Sequence, residues 1–146
     1  MVEQREAQKK LLRFQLLRSK SDALMKRRDE LLMRMLDIES TLNSIEEIEK
    51  SSNNNILLPI GSDVHVKGTL EKVDKMIVGL GADTAIESTV EKTKEILEGR
   101  RKILENGLAS LENELINLNN EIVKLQPEIV AILKESEKSQ TGTDAG

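Results

Sequence analysis

Residues Val90 to Ile132 read VEKTKEILEGRRKILENGLASLENELINLNNEIVKLQPEIVAI, and within them Val90, Leu97, Leu104, Leu111, Leu118, Leu125 and Ile132 recur at every seventh position. A strict seven-residue apolar period is what a helix needs to keep one seam against a partner helix. A companion row of Leu108, Leu115, Ile122 and Ile129 makes the seam apolar at both the a and d positions of the heptad from Leu104 to Ile132. The N-terminal third repeats the pattern, with Leu17, Leu24, Leu31, Ile38 and Ile45 at d and Phe14, Ser21, Arg28, Met35 and Leu42 at a. The chain therefore reads as α+β, mainly α: two long coiled-coil helices around a small middle module.

Composition supports thin helical layers rather than a globular core. Phe14 is the only aromatic residue, and aromatic side chains supply much of the buried area of compact domains. With no cysteine there is no disulfide, thiolate metal site or cysteine nucleophile, and the single His65 cannot build a histidine cluster. No catalytic, metal-binding or cofactor-binding residue is expected, and the protein reads as a non-enzyme. Lys9, Lys10, Arg13 and Arg18 interrupt the first leucines, so neither a signal peptide nor a membrane span is expected. A soluble cytoplasmic protein is the expectation.

The first helix is expected over residues 1–50, followed by a turn-forming linker at 51–55, Ser-Ser-Asn-Asn-Asn. The second is expected over 89–134, with Ser88 and Glu91 at the spacing of a capping box. Pro127 lies at an outward f position, where a kink over Lys124 to Gln126 is expected. Residues 135–146 read as a polar, frayed tail.

Between the helices, residues 56–88 carry strand signals. Val64, Val66 and Leu70 alternate with polar neighbours, and short apolar runs containing Ile56, Leu58 and Ile60, then Met76, Val78 and Leu80, then Ile86, are separated by Gly61-Ser62 and Gly81-Ala82-Asp83. Two consecutive β-hairpins fit these turns. Isolated hairpins are marginal in water, so these ten apolar residues are expected to form an oligomerisation module with strands of other chains.

Charge predicts how the helices pair. Residues 1–36 carry ten Lys or Arg against five Asp or Glu, and residues 105–138 carry seven Glu against three Lys. An antiparallel intrachain hairpin sets the basic half beside the acidic half. From its a position Arg28 is expected to reach Glu112 or Glu114. Each arm would extend roughly 70 Å at 1.5 Å per residue.

The far ends of such a hairpin hold more apolar residues than one seam can bury. Leu11, Leu12, Phe14, Leu16 and Leu17 face Leu125, Ile129, Val130, Ile132 and Leu133, and the polar Ser21 and Lys10 at seam positions weaken the pairing there. Exposed apolar surface of this kind marks an interaction site. The alternative is that these residues pack a third helix or wrap the tip more tightly.

The order of short motifs resembles a known family. Leu58-Pro59-Ile60-Gly61, then Val66-Lys67-Gly68, then Val78-Gly79-Leu80-Gly81-Ala82, set between coiled-coil helices, is similar to the α-class subunit of archaeal prefoldin. Leu125-Gln126-Pro127-Glu128 and Ile132-Leu133-Lys134 resemble that subunit's C-terminus. The resemblance implies an ATP-independent holding chaperone that captures unfolded proteins at the coiled-coil tips and transfers them to a chaperonin. It also implies that the hairpins assemble into an intersubunit β-barrel, with two α-class and four β-class subunits in a hetero-hexamer. A self-assembling form, a homo-oligomer or filament of this chain alone, stays open, as does a structural coiled-coil scaffold without client transfer.

Other readings fit less well. Gly79-Leu80-Gly81 lacks the third glycine and the Gly-Lys-Ser/Thr of a nucleotide loop. Asp63 and Asp83 sit beside turns, where their side chains serve the backbone. Nucleic acid is disfavoured because the acidic segment 105–138 partly neutralises the basic surface of the first helix. A membrane surface is disfavoured because Leu17 belongs to a seam that continues for four more heptads.

Overall fold

The computed structural model describes residues 2–51 and 54–144, with side chains described to Ser139. Helix α1 (Val2–Lys50) is followed by β1 (Asn54–Gly61), β2 (Val64–Leu70), β3 (Lys75–Gly81), β4 (Thr84–Thr89) and helix α2 (Val90–Asp144). The chain divides into two compact units, residues 1–32 with 106–146, and residues 33–105. The expected linker at 51–55 falls partly on residues 52–53, outside the described residues.

In the first unit α1 and α2 run antiparallel. Lys10 pairs with Glu128, Arg13 with Glu121 and Lys20 with Glu114, at 3.5, 3.9 and 3.9 Å, so the partner's number falls as the basic residue's rises. The seam buries Leu31, Leu111, Leu118 and Ile129, while Phe14, Leu17, Ser21, Leu24, Arg28, Leu108, Leu115, Ile122, Leu125 and Ile132 are half-buried along it. The heptad rows are thus the packed rows. Arg28 departs from expectation: its ion partner is the adjacent Asp29 at 3.7 Å, and Glu114 is engaged by Lys20. Its Nε is buried without a hydrogen bond. A guanidinium drawn along the seam packs its stem there and cannot also extend to carboxylates flanking the other helix.

In the second unit Ile45, Val90 and Leu97 form the buried core, with Ile38, Leu42, Val73 and Met76 packed against it. Ile38, Leu42 and Ile45 come from α1 and Val90 and Leu97 from α2, so the heptad rows supply this core as well, and the foot of β3 is added to it. At the end of α1, Asn54 Nδ2 donates to the carbonyl of Ile48 at 3.2 Å, satisfying one of the carbonyls a helix C-terminus leaves open.

Helix α2 is capped by Thr89, whose Oγ1 accepts from the Lys92 N–H at 3.2 Å. This corrects the expected capping box. Helix geometry starts at Val90, so Thr89 occupies the cap position, and Ser88 is still paired in the strand ladder with Met76. Beyond that, α2 runs as one helix through Pro127. It continues to Asp144, where a frayed tail from 135 was expected. Glu135, Glu137 and Lys138 are good helix formers, and no proline follows Pro127.

Strands β1 and β2 form one antiparallel sheet and β3 and β4 another. Both hairpins close the same way. Ser62 and Asp63, and Ala82 and Asp83, all have positive φ, between 48° and 62°, as a two-residue type I′ turn requires. In each the register shifts near the end of the first strand, Pro59/Gly61 and Gly79/Gly81, so Ile60 and Leu80 are bulged.

Candidate functional site

Two surfaces follow from this architecture, one in each unit. In the first, segments 11–17 and 125–133 lie beside each other: Arg13, Leu17, Glu121, Leu125 and Glu128 line one shallow cavity. Of the ten residues singled out there, Leu12, Leu16, Val130 and Leu133 face solvent, Leu16 with 62% of its surface exposed. Leu11, Phe14, Leu17, Leu125 and Ile132 are half-buried, and Ile129 is buried at 6% exposure because its a position turns it into the seam. Arg18 lies over the Phe14 ring, 5.7 Å from its centroid, and so covers the ring face with a cation. The apolar surface offered at this end therefore comes chiefly from the two outward leucines of α1 and from Val130 and Leu133 of α2.

In the second unit the hairpins differ in what covers them. Cross-strand pairing puts Ile56 opposite Gly68 and Leu58 opposite Val66 on one face of β1–β2, with Leu57–Lys67 and Pro59–His65 on the other. Leu58, Ile60, Val64 and Val66 are exposed, and Ile56 and Leu70 are half-buried. On β3–β4 the corresponding face holds Met76–Ser88 and Val78–Ile86. There Val78 is buried and Met76 half-buried against the helices, while Leu80 and Ile86 remain exposed. Ile77, on the opposite face, is the most open apolar side chain of the hairpins at 81%. Arg100 of α2 donates to the carbonyl of Gly79 at 2.7 Å and so fixes β3 against its helix. Sequence reasoning missed this tether because Arg100 lies off the heptad rows, where arginines are ordinary solvent contacts.

The polar groups of the second unit are structural in character. Lys94 donates to Glu49 Oε2 at 2.7 Å, bridging the two helices. That hydrogen bond holds the Lys94 ammonium above its ordinary pKa, opposed by some loss of hydration and aided by the charges of Glu49, Glu91 and Glu46. His65 is exposed on its strand. Among the described residues no group of three or more His, Asp or Glu side chains is placed to hold a metal ion. None of the helices described is long and apolar enough to cross a membrane.

A coiled-coil hairpin joined through two β-hairpins, with apolar surface on the strands and at the helix ends, defines a class of coiled-coil assembly subunits. The family model described as Prefoldin subunit matches residues 17–135, and the chain belongs to the prefoldin family. Relatives include prefoldin subunit alpha of Methanopyrus kandleri, 29% identical over 65 residues, which are 44% of this chain and 40% of that protein. Prefoldin subunit alpha of Haloarcula marismortui is 30% identical over 69 residues, 42% of this chain and 44% of that one. Prefoldin subunit alpha 2 of Thermococcus kodakarensis is 35% identical over 54 residues, 37% of this chain and 38% of that one. The aligned stretch thus spans under half the length of each. Among solved structures, the filamentous prefoldin of Methanocaldococcus jannaschii has the same fold, with a TM-score of 0.68 at 22% identity, covering 78% of this chain and 95% of that one.

Proposed function

We propose that this chain is a subunit of an ATP-independent holding chaperone, acting in the cytoplasm, which captures unfolded proteins on its coiled-coil ends and passes them to a chaperonin. The observation that carries this reading is the exposure of Leu12, Leu16, Val130 and Leu133 beside a seam already filled by Leu17, Leu125, Ile129 and Ile132. Apolar side chains that a seam does not need, presented where segments 11–17 and 125–133 meet, suit a non-native chain with exposed apolar residues of its own. Capture of this kind is driven by burial and needs no nucleotide. The test is light scattering of a heat-denatured client. Suppression of aggregation by the intact protein, and its loss in a Leu12→Ser, Leu16→Ser, Leu133→Ser variant that keeps its helicity, is expected. No suppression at several-fold molar excess would sink the reading.

Assembly through the hairpins belongs to the same proposal. The open apolar face of Ile56, Leu58, Val64 and Val66 calls for strands from another subunit, which in this family reading are β-class subunits around two α-class centres in a shared β-barrel. A second reading is self-assembly. Each chain carries two hairpins, each with open strand edges, and a heterologous contact that does not close gives a filament; the filamentous relative from M. jannaschii supports this outcome. Size measurement of the chain alone and with a β-class partner separates the two, since only the first needs the partner to reach a closed particle.

A further inference from the structure

The two hairpins are one design repeated 20 residues on: Leu57 pairs with Lys67 as Ile77 pairs with Glu87, and turns and bulges keep the same offset. Their second faces, turned away from the side that carries Leu58 and Val78, therefore superpose position by position. At the middle of each an apolar residue stands beside a charge, and all four side chains are exposed. Among the described residues neither Lys67 nor Glu87 has an ion-pair partner. The surroundings differ. Ile77 is followed on its face by Gly79, which pairs with Ala85, so the isoleucine stands clear of the sheet. A Cβ at Gly79 would meet nothing within 4 Å, and its φ is not positive, so neither crowding nor backbone conformation within the chain calls for glycine there. Glycine weakens a strand interior and marks a place where another backbone comes close. Leu57 and Lys67 instead line a shallow cavity with Asn55 and Thr69. One hairpin offers a knob and the other a socket.

We propose that the second face of β3–β4 docks on the second face of β1–β2 of another copy of this chain, Ile77 entering the socket and Glu87 pairing with Lys67. Because the hairpins superpose, stacking them with their turns in opposite directions sets Ile77 over Leu57 and Glu87 over Lys67 together. The same stacking sets Gly79 against Asn55 and Ala85 against Thr69, small residues on the rim of the socket. Lys75, the other charge of its face, comes over Pro59. Stacking two like hairpins would instead put Lys67 on Lys67 or Glu87 on Glu87, so charge selects the unlike pair. The partner is a second copy because this chain carries both halves of the fit. One hairpin face buries less than a free-standing dimer needs. The contact therefore joins copies already collected through the other faces of their hairpins, several contacts acting at once, and it rests on that part of the proposed function. Opposite faces of each hairpin serve the two contacts, so both form together. Being heterologous, the stacking links one assembled particle to the next.

The absence of native cysteine makes the test direct. Packed sheets lie about 10 Å apart, a gap that a short bis-maleimide spans. In an equal mixture of full-length Thr69→Cys and Ala85→Cys chains, which leave knob and socket intact, links of 69 to 85 are expected at least about tenfold above links of 69 to 69 or 85 to 85. Equal yields, or like joined to like, would overturn the proposal. Links of either thiol to an added β-class subunit or denatured client, with none between copies, would assign the face to that partner and overturn it as well. By light scattering the parent particle should grow in mass with concentration. Lys67→Glu and Glu87→Lys should each stop that growth and the joint exchange restore it; no restoration would count against the pairing. Gly79→Val, with open space in its own chain, should stop growth while the starting particle keeps its mass, and unchanged growth would refute the close approach. A parent that stays monomeric at every concentration sinks the hairpin assembly and the stacking together. An assembled particle of constant mass without 69–85 links sinks the stacking alone.

Discussion

Arg100 and Gly79 are joined by a 2.7 Å hydrogen bond from the guanidinium to the backbone carbonyl, 21 residues apart in sequence. The bond ties the outer part of β3 to α2, while Met76 at the foot of the same strand packs on the core of Ile45, Val90 and Leu97. One hairpin is thereby held to the helices at two heights. For β1–β2 the corresponding side-chain link is the Asn54 bond to Ile48 at its foot.

Arg100→Ala should therefore loosen β3–β4 selectively. A charged hydrogen bond at an accessible site contributes about 1 kcal/mol, so the expected sign is a small drop in stability with a larger loss of amide protection in residues 76–80. Hydrogen exchange by mass spectrometry checks this. Unchanged protection in β3 would show the tether to be idle.

The seam position of Arg28 is a local cost. Its Nε is buried without a hydrogen bond, and Asp29 at 3.7 Å is a poor substitute. Arg28→Leu is expected to raise stability by about 1–2 kcal/mol, because an apolar side chain there removes the desolvated group and extends the apolar a positions Met35 and Leu42. A urea denaturation midpoint reads the change, and a lower midpoint would contradict it.

Capping at the start of α2 gives a paired prediction. Thr89→Ala should cost about 1 kcal/mol through loss of the bond from Lys92, and Thr89→Ser should retain most of it. Ser88→Ala should be neutral or stabilising, since the Ser88 hydroxyl is buried without a partner. The reverse ranking in thermal unfolding would restore the capping box that Ser88 and Glu91 suggest by spacing.

The Lys94–Glu49 bridge sets a pH dependence in the alkaline range. Its folded pKa is raised, so its contribution is fully present below the unfolded value of 10.5 and is lost as pH rises through the higher folded value. Glu49→Gln should bring the Lys94 titration, followed by NMR of its side chain, back toward the unfolded value. No movement of that titration would show that Glu49 is not the cause.

Substitution of the open strand face tests assembly. Leu58→Asp with Val66→Asp places like charges opposite each other on β1–β2, on a face where both native side chains are exposed. Particle mass by light scattering should fall while helicity stays. Retained mass would move the interface elsewhere.

Much of the candidate site is legible in the sequence. Leu16 and Leu133 stand out because a seam of fixed width has no room for them, and Gly61 and Gly81 mark both turns because a two-residue hairpin loop needs positive φ nearby. Ile129 and Val130 are adjacent and both apolar, and the heptad register sorts them, Ile129 falling at a in the seam and Val130 at the outward b position. A rotation of about 100° per residue decides that one is buried and the other exposed.

The sequence by itself determined the long-range order of this protein, two heptad helices around two hairpins, because period and turn chemistry are local and repeat often enough to outweigh exceptions. Only the tertiary structure decided which groups meet: Lys20 rather than Arg28 at Glu114, Thr89 rather than Ser88 at the cap, and Arg100 at Gly79. Each of those choices turns on a few ångströms of side-chain reach between distant segments, and no one-dimensional pattern carries that distance.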